Sequence, residues 1–423
     1  MVEETDIAVV GAGGGGAVLA LALAQKGINT IVFEQAPGPP KGLRGEILQP
    51  NGQQVLDRLG LLSQLPVEST RTVHKFHFCR VGGERLCTVD YSELPPPYNQ
   101  AVVTLPNVAH HAILSAIERE SSVSLRYRSA FTGLLRENGR VVGLTAKQGE
   151  DHVTVKAKVV VGADGAFSKV REALQIPADL HLYPQGYLIA LLDAAIPLGE
   201  AKYFVGKRTI LGMFPAAGDK VYVFYMIKAG SYESVKERGI AALQKSWIAI
   251  DPSSEAIFRT LMDWKQTAFM PTGRVRTPTW VADGAVLIGD AAHAMNPHAS
   301  QGRMQAMVDA MTLADLLPEC LATNEYSAEK LRTYETARRP QVTMLQKLAD
   351  EQVLFWHTAN PVIAFLRDRV FSTLDRNARL RYRVLSTTAG LRKEPPFGMM
   401  DRLMAAGFLP DPSARDMAAR GVQ

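Results

Sequence analysis

The chain has 423 residues and a net charge of +5, so it is long enough for two or three domains and only mildly basic. Its lysines and arginines are scattered among acidic residues, which argues against nucleic acid as a partner. The three cysteines form neither a CxxC pair nor a Cys/His ligand pattern. We therefore expect no disulfide framework, no bound metal and a reducing, cytoplasmic location.

The first chemical signal along the chain is a glycine-rich turn between a strand and a helix. Residues 6–10 form an apolar strand, and Gly11, Gly13 and Gly16 follow at GxGxxG spacing before a helical stretch. The first glycine permits a tight turn, the second lets the backbone approach a pyrophosphate, and the third lets the helix pack on the strand. The next strand ends in Glu34, which is placed to accept hydrogen bonds from a ribose. This arrangement predicts dinucleotide binding.

Two later apolar strands also end in a carboxylate. Asp164 follows residues 158–163, and Asp290 follows residues 286–288 before a loop and a helix. In open α/β sheets, ligands sit at this end of the strands. Asp164 by itself is equally typical of a turn or a helix cap. Together with Glu34, however, the three carboxylates indicate one shared ligand site.

Other parts of the chain are predicted from their periodicity. Residues 73–97 and 179–271 are rich in short strands, and Tyr203, Met213 and Tyr225 in the second stretch are candidates for facing a substrate. Helices are predicted at residues 234–250, 252–260, 327–346, 349–358 and 361–376, followed by a less regular tail. Phe355, Trp356, Phe365, Leu366 and Phe371 lie among arginines near the end, which is typical of core packing or of docking to a bilayer or another subunit.

Three motifs in this order resemble the single-component FAD-dependent aromatic hydroxylases, the group typified by p-hydroxybenzoate hydroxylase. They are GxGxxG, the Gly-Ala-Asp-Gly-x-x-Ser-x-Val-Arg that contains Asp164, and the Gly-Asp-Ala-Ala-His-x-x-x-Pro that contains Asp290. The resemblance implies FAD as the cofactor, NADPH or NADH as the cosubstrate, and O2. It assigns Gly11, Gly13, Gly16 and Glu34 to the adenosine part of FAD, Arg44 to the pyrophosphate, Asp164 to a motif serving both FAD and NAD(P)H, and Asp290 to the ribityl chain.

The resemblance also gives the loop after Asp290 a role at the flavin ring. Reduced flavin is an anion with charge at its N1–C2=O edge, and the backbone N–H groups of Ser300, Gln301 and Gly302 at a helix N-terminus would stabilise it. Pro297 would bound the place where oxygen adds to the flavin. No side chain needs to act as a nucleophile, because a flavin C4a-hydroperoxide is the oxidant and the protein supplies orientation and excludes water.

The chain departs from this family at two places. The family has Gly-Gln-Gly-x-Asn where this chain has Ser300 to Met304, and an arginine usual before the Asp-Gly motif is replaced in its region by His110 and His111. Residues 45–52 resemble the corresponding segment of squalene epoxidases, which favours a bulky apolar substrate.

The predicted fold class is α/β, with a Rossmann-like FAD-binding domain, an inserted antiparallel β-sheet substrate domain and a helical C-terminal region. The predicted division is an FAD-binding domain of residues 1–72, 98–178 and 272–340, a substrate domain of residues 73–97 and 179–271, and a helical region of residues 341–423.

We expect an FAD-dependent monooxygenase that uses NAD(P)H and O2 to hydroxylate an aromatic or conjugated apolar small molecule. The alternatives are an epoxidase or reductase of an isoprenoid-like or polyketide-like substrate on the same fold, and a flavin-retaining accessory protein without turnover. Peripheral membrane contact and a homo-oligomer both stay open.

Overall fold

The computed structural model describes residues 2–43 and 46–415. The strands are β1 (Val2–Val10), β2 (Thr30–Phe33), β3 (Glu46–Leu48), β4 (Thr70–Val73), β5 (Lys75–Arg80), β6 (Arg85–Asp90), β7 (Ala101–Thr104), β8 (Val123–Arg126), β9 (Ser129–Glu137), β10 (Arg140–Gln148), β11 (Asp151–Gly162), β12 (Asp179–Asp193), β13 (Ala201–Gly206), β14 (Thr209–Ala216), β15 (Lys220–Lys228), β16 (Thr267–Arg276), β17 (Val281–Ala282) and β18 (Ala285–Leu287). The helices are α1 (Gly14–Ala24), α2 (Pro50–Arg58), α3 (Val108–Ile117), α4 (Lys169–Ala173), α5 (Tyr232–Glu237), α6 (Ile240–Ile250), α7 (Glu255–Phe258), α8 (Asp290–His293), α9 (Gly302–Thr323), α10 (Ala328–Trp356), α11 (Pro361–Arg376), α12 (Ala378–Thr388) and α13 (Met399–Ala405).

The first sheet brings the sequence motifs together. Its main path is β17-β18-β11-β1-β2-β8, and β10 and β9 extend from β11 as antiparallel strands. Strands β18, β11, β1, β2 and β8 run parallel, so their carboxyl ends meet at one edge. The central strands are buried on both faces, which explains why they read as continuous apolar runs. The glycine turn and the three predicted carboxylates therefore all follow strands of one sheet at the same edge.

The second sheet has the order β16-β12-β15-β14-β13-β5-β6 and is antiparallel except between β13 and β5. One face packs on α6 and α7 through a core that includes Trp247 and Phe258. The opposite face carries Tyr187 and Phe214 and belongs to a core shared with the C-terminal helices. Strands β3, β7 and β4 form a third, small sheet. The predicted α/β fold class is confirmed.

The helical segments differ from the prediction in three places. Residues 234–250 form two helices, because Gly239 adopts φ +86° and interrupts them. A single helix, α10, covers the region predicted as two, since residues 345–349 all have good helix propensity. The tail predicted as less regular contains α12 and α13.

The apolar residues of the C-terminal helices divide between core and surface. Trp356 and Phe371 are buried in the core beneath the second sheet, whereas Phe365 is 59% exposed. Within the described residues, every helix is too short or too polar to cross a lipid bilayer. The predicted contact with a membrane surface or a second copy stays a prediction.

Candidate functional site

The three glycines of the first turn occupy three different environments. Gly11 has φ +100°, and a Cβ there would lie 2.5 Å from the Ala163 carbonyl oxygen. At Gly16 a Cβ would lie 1.9 Å from the carbonyl oxygen of Gly11, so α1 packs against the turn without room for a side chain. Among the described residues, no atom lies within 4 Å of a Cβ built on Gly13, and this glycine lines a cavity of about 420 Å³. The turn is therefore closed on its protein side and open on its cavity side, as a bound pyrophosphate requires.

Glu34 at the end of β2 is held against the glycine turn. Its carboxylate accepts a 2.8 Å hydrogen bond from the N–H of Ala12 and another of 2.8 Å from the N–H of Ala36. Each carboxylate oxygen keeps a second lone pair, so the group remains able to accept hydrogen bonds from a ligand hydroxyl. The half-buried position beside the turn fits the ribose contact predicted for this residue.

Asp164 holds the start of α4 through its carboxylate. Its carboxylate accepts hydrogen bonds from the Ser168 hydroxyl and from the N–H groups of Lys169 (2.8 Å) and Val170 (3.1 Å). The side chain therefore caps α4, and the flanking residues Ala163 and Gly165 line the cavity instead. Asp164 therefore shapes the loop beside the cavity, and its assignment to cofactor binding stays a prediction.

Arg171, which follows Asp164 in the same motif, connects the loop after β11 with α8, which follows β18. Its guanidinium donates to the carbonyl oxygen of Ala291 over 2.8 Å and to that of Ala166 over 3.0 Å. The side chain is buried, and burial lowers its pKa, although Asp164 opposes that shift. The Asp-Gly motif and the Asp290 motif are thus tied together by one buried arginine, a link that the sequence analysis did not predict.

Asp290 and the loop that follows form one wall of the 420 Å³ cavity. Asp290, Pro297, Ser300 and Gly302 all line it. Asp290 is exposed at the start of α8, and within residues 2–43 and 46–415 its carboxylate accepts no hydrogen bond. Ser300 has φ +52°, a left-handed conformation that favours glycine. This backbone conformation explains why the family has a glycine at this position. The N–H of Ser300 donates to Pro297, which leaves the N–H groups of Gln301 and Gly302 at the start of the 22-residue α9.

The side chain of Gln301 points away from the cavity into the protein. Its amide oxygen accepts from Asn51 (2.9 Å) and from Gln305 (2.7 Å), and its amide nitrogen donates to the carbonyl oxygen of Thr388 (2.7 Å). Gln301 is completely buried. The loop is therefore anchored to α2 and α12 by this side chain, and only the backbone of Gln301 is available at the cavity.

A buried ionic cluster lies directly behind the loop. Asp309 accepts hydrogen bonds from the N–H of Gly289 (3.0 Å), from His293 Nε2 (2.6 Å) and from Arg338 Nε (2.8 Å). Burial disfavours its charge, but His293, Arg338 and these hydrogen bonds outweigh burial and lower the pKa of Asp309 to about 2. Arg338 also donates to Gln305, which connects the cluster to Gln301. The sequence contains no local signal for this cluster, because the partners of Asp309 lie 16 (His293) and 29 (Arg338) residues from it.

Arg303 lies between the glycine turn and His110 of α3. Its side-chain stem covers the glycine turn, since a Cβ built on Gly14 would be 2.9 Å from Arg303 Cγ, and its Nη2 donates to His110 Nδ1 over 3.3 Å. Burial and the neighbouring His111 lower the pKa of His110 to about 4, so this imidazole is a neutral acceptor at pH 7. Both side chains line the cavity. Arg44, the predicted pyrophosphate contact, lies outside the described residues.

A second and larger cavity, of about 960 Å³, adjoins the first. It is enclosed by the second sheet and the C-terminal helices, and its aromatic walls include Phe76, Phe78, Tyr91, Trp356 and Phe371. The residues common to the two cavities are Tyr203, His298 and Ser300.

The predicted substrate contacts fall on opposite faces of the second sheet. Tyr203 lines both cavities. Met213 is completely buried in the core beneath the other face, and the Tyr225 ring lies 6.2 Å from that of Trp247 in the same core. Because side chains alternate along a strand, Ile210, Gly212 and Phe214 of β14 face the cavity and Met213 does not. The expectation for Met213 and Tyr225 is therefore corrected.

Comparisons with known proteins agree with this geometry. Residues 4–349 match the FAD binding domain family. The chain is 30% identical over 390 residues to the 6-methylpretetramide 4-monooxygenase of Streptomyces rimosus, covering 89% of this chain and 90% of the relative. It is 31% identical over 391 residues to a kynurenine 3-monooxygenase of Salinispora arenicola, covering 86% and 80%. The chain belongs to the FAD-dependent monooxygenase family.

Solved structures share the fold of this monooxygenase. The crystal structure of p-nitrophenol 4-monooxygenase from Pseudomonas putida superposes with a TM-score of 0.80 at 18% identity, covering 92% of this chain and all of that chain. The predictions of an FAD-dependent monooxygenase and of FAD as cofactor are confirmed, and NAD(P)H is the cosubstrate typical of the family. Relatives of this monooxygenase act on small aromatic substrates with O2.

Proposed function

We propose that this monooxygenase hydroxylates a multi-ring aromatic or conjugated apolar molecule that binds in the 960 Å³ cavity. The observation that carries the proposal is the meeting of this cavity with the glycine-turn cavity at Tyr203, His298 and Ser300. Binding cavities for small organic molecules typically have volumes of roughly 300–1,000 Å³, so this one is at the upper end of that range. Its walls are largely apolar and include aromatic rings such as Phe76, Phe78 and Trp356, which favours flat apolar rings over flexible polar ligands.

The cofactor roles proposed for this chain follow from what each group offers to the cavity. The backbone at Gly13 and the N-terminus of α1 would hold the FAD pyrophosphate, and Glu34 would accept from the adenosine ribose. Asp290 would accept from a ribityl hydroxyl. The N–H groups of Gln301 and Gly302 would stabilise negative charge on the flavin ring, because they begin a long helix.

FAD supplies the redox chemistry when it is bound, taking reducing equivalents from NAD(P)H and activating O2. The protein's own contribution in this proposal is to orient the substrate, to exclude water and to hold charge at the flavin edge. Pro297 bounds the cavity beside Ser300 and restricts the loop backbone, which keeps the wall rigid at the reacting face. The residues that line the two cavities therefore need to position groups, and none of them needs to act as a nucleophile.

A substrate screen with and without oxygen tests this proposal. FAD-loaded protein is mixed with NADH or NADPH and a panel of multi-ring aromatic compounds, and both cosubstrate oxidation and product mass are measured. The proposal expects substrate-stimulated oxidation that needs O2 and adds one oxygen atom to the product. Turnover that continues without oxygen would favour the reductase alternative. A colourless protein that does not take up added FAD would contradict both the monooxygenase and the reductase.

A further inference from the structure

A hydrogen-bonded pair of side chains stands where the two cavities meet. The Tyr187 hydroxyl and His298 Nε2 are 3.1 Å apart. Tyr187 comes from β12, and His298 comes from the turn between Pro297 and Ser300. The His298 ring also packs edge-on against Trp356, with ring centroids 5.0 Å apart. Its orientation is thus held from two sides.

The chemistry of this pair indicates which atom of His298 is offered to a ligand. Burial and the nearby His357 lower the pKa of His298 to about 3, so the ring is neutral at pH 7 and has one N–H group and one acceptor nitrogen. Burial raises the pKa of Tyr187, so its hydroxyl stays protonated. A buried hydroxyl hydrogen needs an acceptor, and His298 Nε2 is the acceptor within reach. Donation from Tyr187 to Nε2 leaves the ring proton on Nδ1.

In this tautomer, Nδ1–H is the side-chain donor that His298 has left for a ligand. Within the part of the chain that the structure describes, it makes no hydrogen bond, and His298 is a wall residue of both cavities. An N–H group in an apolar wall gains most from a ligand acceptor, because water competes poorly there and an unmatched donor is costly. A carbonyl oxygen conjugated with the ring system provides such an acceptor.

We propose that His298, fixed by Tyr187, is a substrate-positioning residue that donates its Nδ1–H to a carbonyl oxygen of the substrate. The substrate class is therefore a multi-ring compound with a ring ketone or similar conjugated carbonyl. This inference rests on the proposed function, since it uses the same cavity as the substrate site. It adds that the substrate must carry a hydrogen-bond acceptor, which the cavity volume and the apolar walls do not specify.

A matched pair of probes tests the acceptor requirement. 9-Fluorenone and fluorene share three rings and differ by one carbonyl oxygen, so the ratio of their dissociation constants reports on recognition of that oxygen. Binding is measured on FAD-loaded protein by changes in flavin absorbance, without NAD(P)H. We expect His298→Phe to reduce the preference for fluorenone roughly three- to tenfold, as for loss of one hydrogen bond. Tyr187→Phe should reduce it less, because the donor remains but its tautomer is no longer fixed.

Thr343→Val is the matched control, since it removes a hydroxyl from the large cavity while nearly keeping the side-chain shape. Its fluorenone preference should equal that of the wild type. An unchanged preference in His298→Phe that still binds FAD would overturn the inference, as would an equal loss in the Thr343 control. Failure of wild-type, FAD-loaded protein to bind either probe would also contradict it. Failure of the proposed function is separate, because it shows in the oxygen-dependence assay and in product mass.

Discussion

Asp309 is the residue whose neutralisation should disturb this monooxygenase most without touching the cavity. It is completely buried in α9, and its carboxylate joins Gly289, His293 and Arg338 behind the flavin-edge loop. Asp309→Asn keeps the shape of the side chain but removes the charge. The perturbation therefore isolates the electrostatic contribution of one carboxylate.

The magnitude follows from the pKa and from the group left behind. A carboxylate whose pKa is lowered from an ordinary 3.8 to about 2 stabilises the folded state by about 2 kcal/mol at neutral pH. The substitution also leaves the guanidinium of Arg338 buried without its anion, and breaking one partner of a buried pair costs about 3–5 kcal/mol. We therefore expect Asp309→Asn to lower the free energy of unfolding by about 3–5 kcal/mol at pH 7.

Urea unfolding of the FAD-loaded protein at several pH values measures this effect. Because the pKa of Asp309 is lower in the folded state, its stabilisation is complete above about pH 4 and is lost as the pH falls toward 2. The difference between wild type and variant should therefore shrink over that range. Asp315→Asn is the control on the same helix, since Asp315 is 45% exposed and pairs with Lys26 and Arg58 at the surface. It should change stability by less than about 1 kcal/mol.

The reasoning is refuted if Asp309→Asn stays within about 1 kcal/mol of the wild type at pH 7. It is also refuted if both substitutions destabilise equally, because burial would then have no influence on the effect.

Three further pairs of substitutions test the assignments around the cavities. Gly16→Ala should abolish FAD binding or folding, since its Cβ would lie 1.9 Å from a backbone oxygen. Gly13→Ala should fold and only weaken FAD binding. Circular dichroism measures the folding of the two variants, and flavin fluorescence titration measures their FAD binding. Arg303→Met should raise the dissociation constant of FAD about tenfold or more, as for the loss of a charge-assisted hydrogen bond, with partial recovery in Arg303→Lys. Tyr203→Ala should weaken fluorenone binding at least fivefold, which corresponds to about 1 kcal/mol or more of binding free energy, whereas Met213→Leu should leave fluorenone binding unchanged. Equal effects of the two substitutions would contradict the assignment of the two sheet faces.

Some departures from the family pattern become understandable only with the structure. The arginine missing from the α3 region has no replacement nearby in sequence, yet Arg303 reaches His110 from α9, 193 residues away. Met304 stands where the family has an asparagine, and a Cβ on Gly52 would lie 2.0 Å from its sulfur. The thioether thus fills the contact between α9 and α2. Both contacts join residues far apart in sequence, so no local pattern reveals them.

The sequence by itself determined the features that depend on neighbouring residues. Gly11 and Gly16 are required by the local turn, and Glu34, Asp164 and Asp290 are recognisable because each lies within a few residues of the end of an apolar strand. Parallel pairing then requires these strand ends to share an edge, so the location of the site followed from the pattern. The α/β class and the binding of a dinucleotide were predictable for the same reason, whereas FAD was implied by the resemblance of the three motifs to a known family.

Only the tertiary structure decided which way individual side chains face and which distant groups meet. Met213 lies beneath the far face of the second sheet, although it was predicted to face the substrate. A one-residue change in strand register exchanges the two faces, and residue type alone does not define register when both faces are apolar. The Asp309 cluster and the Tyr187–His298 pair join residues 16 to 111 positions apart, so they exist only once the chain has folded.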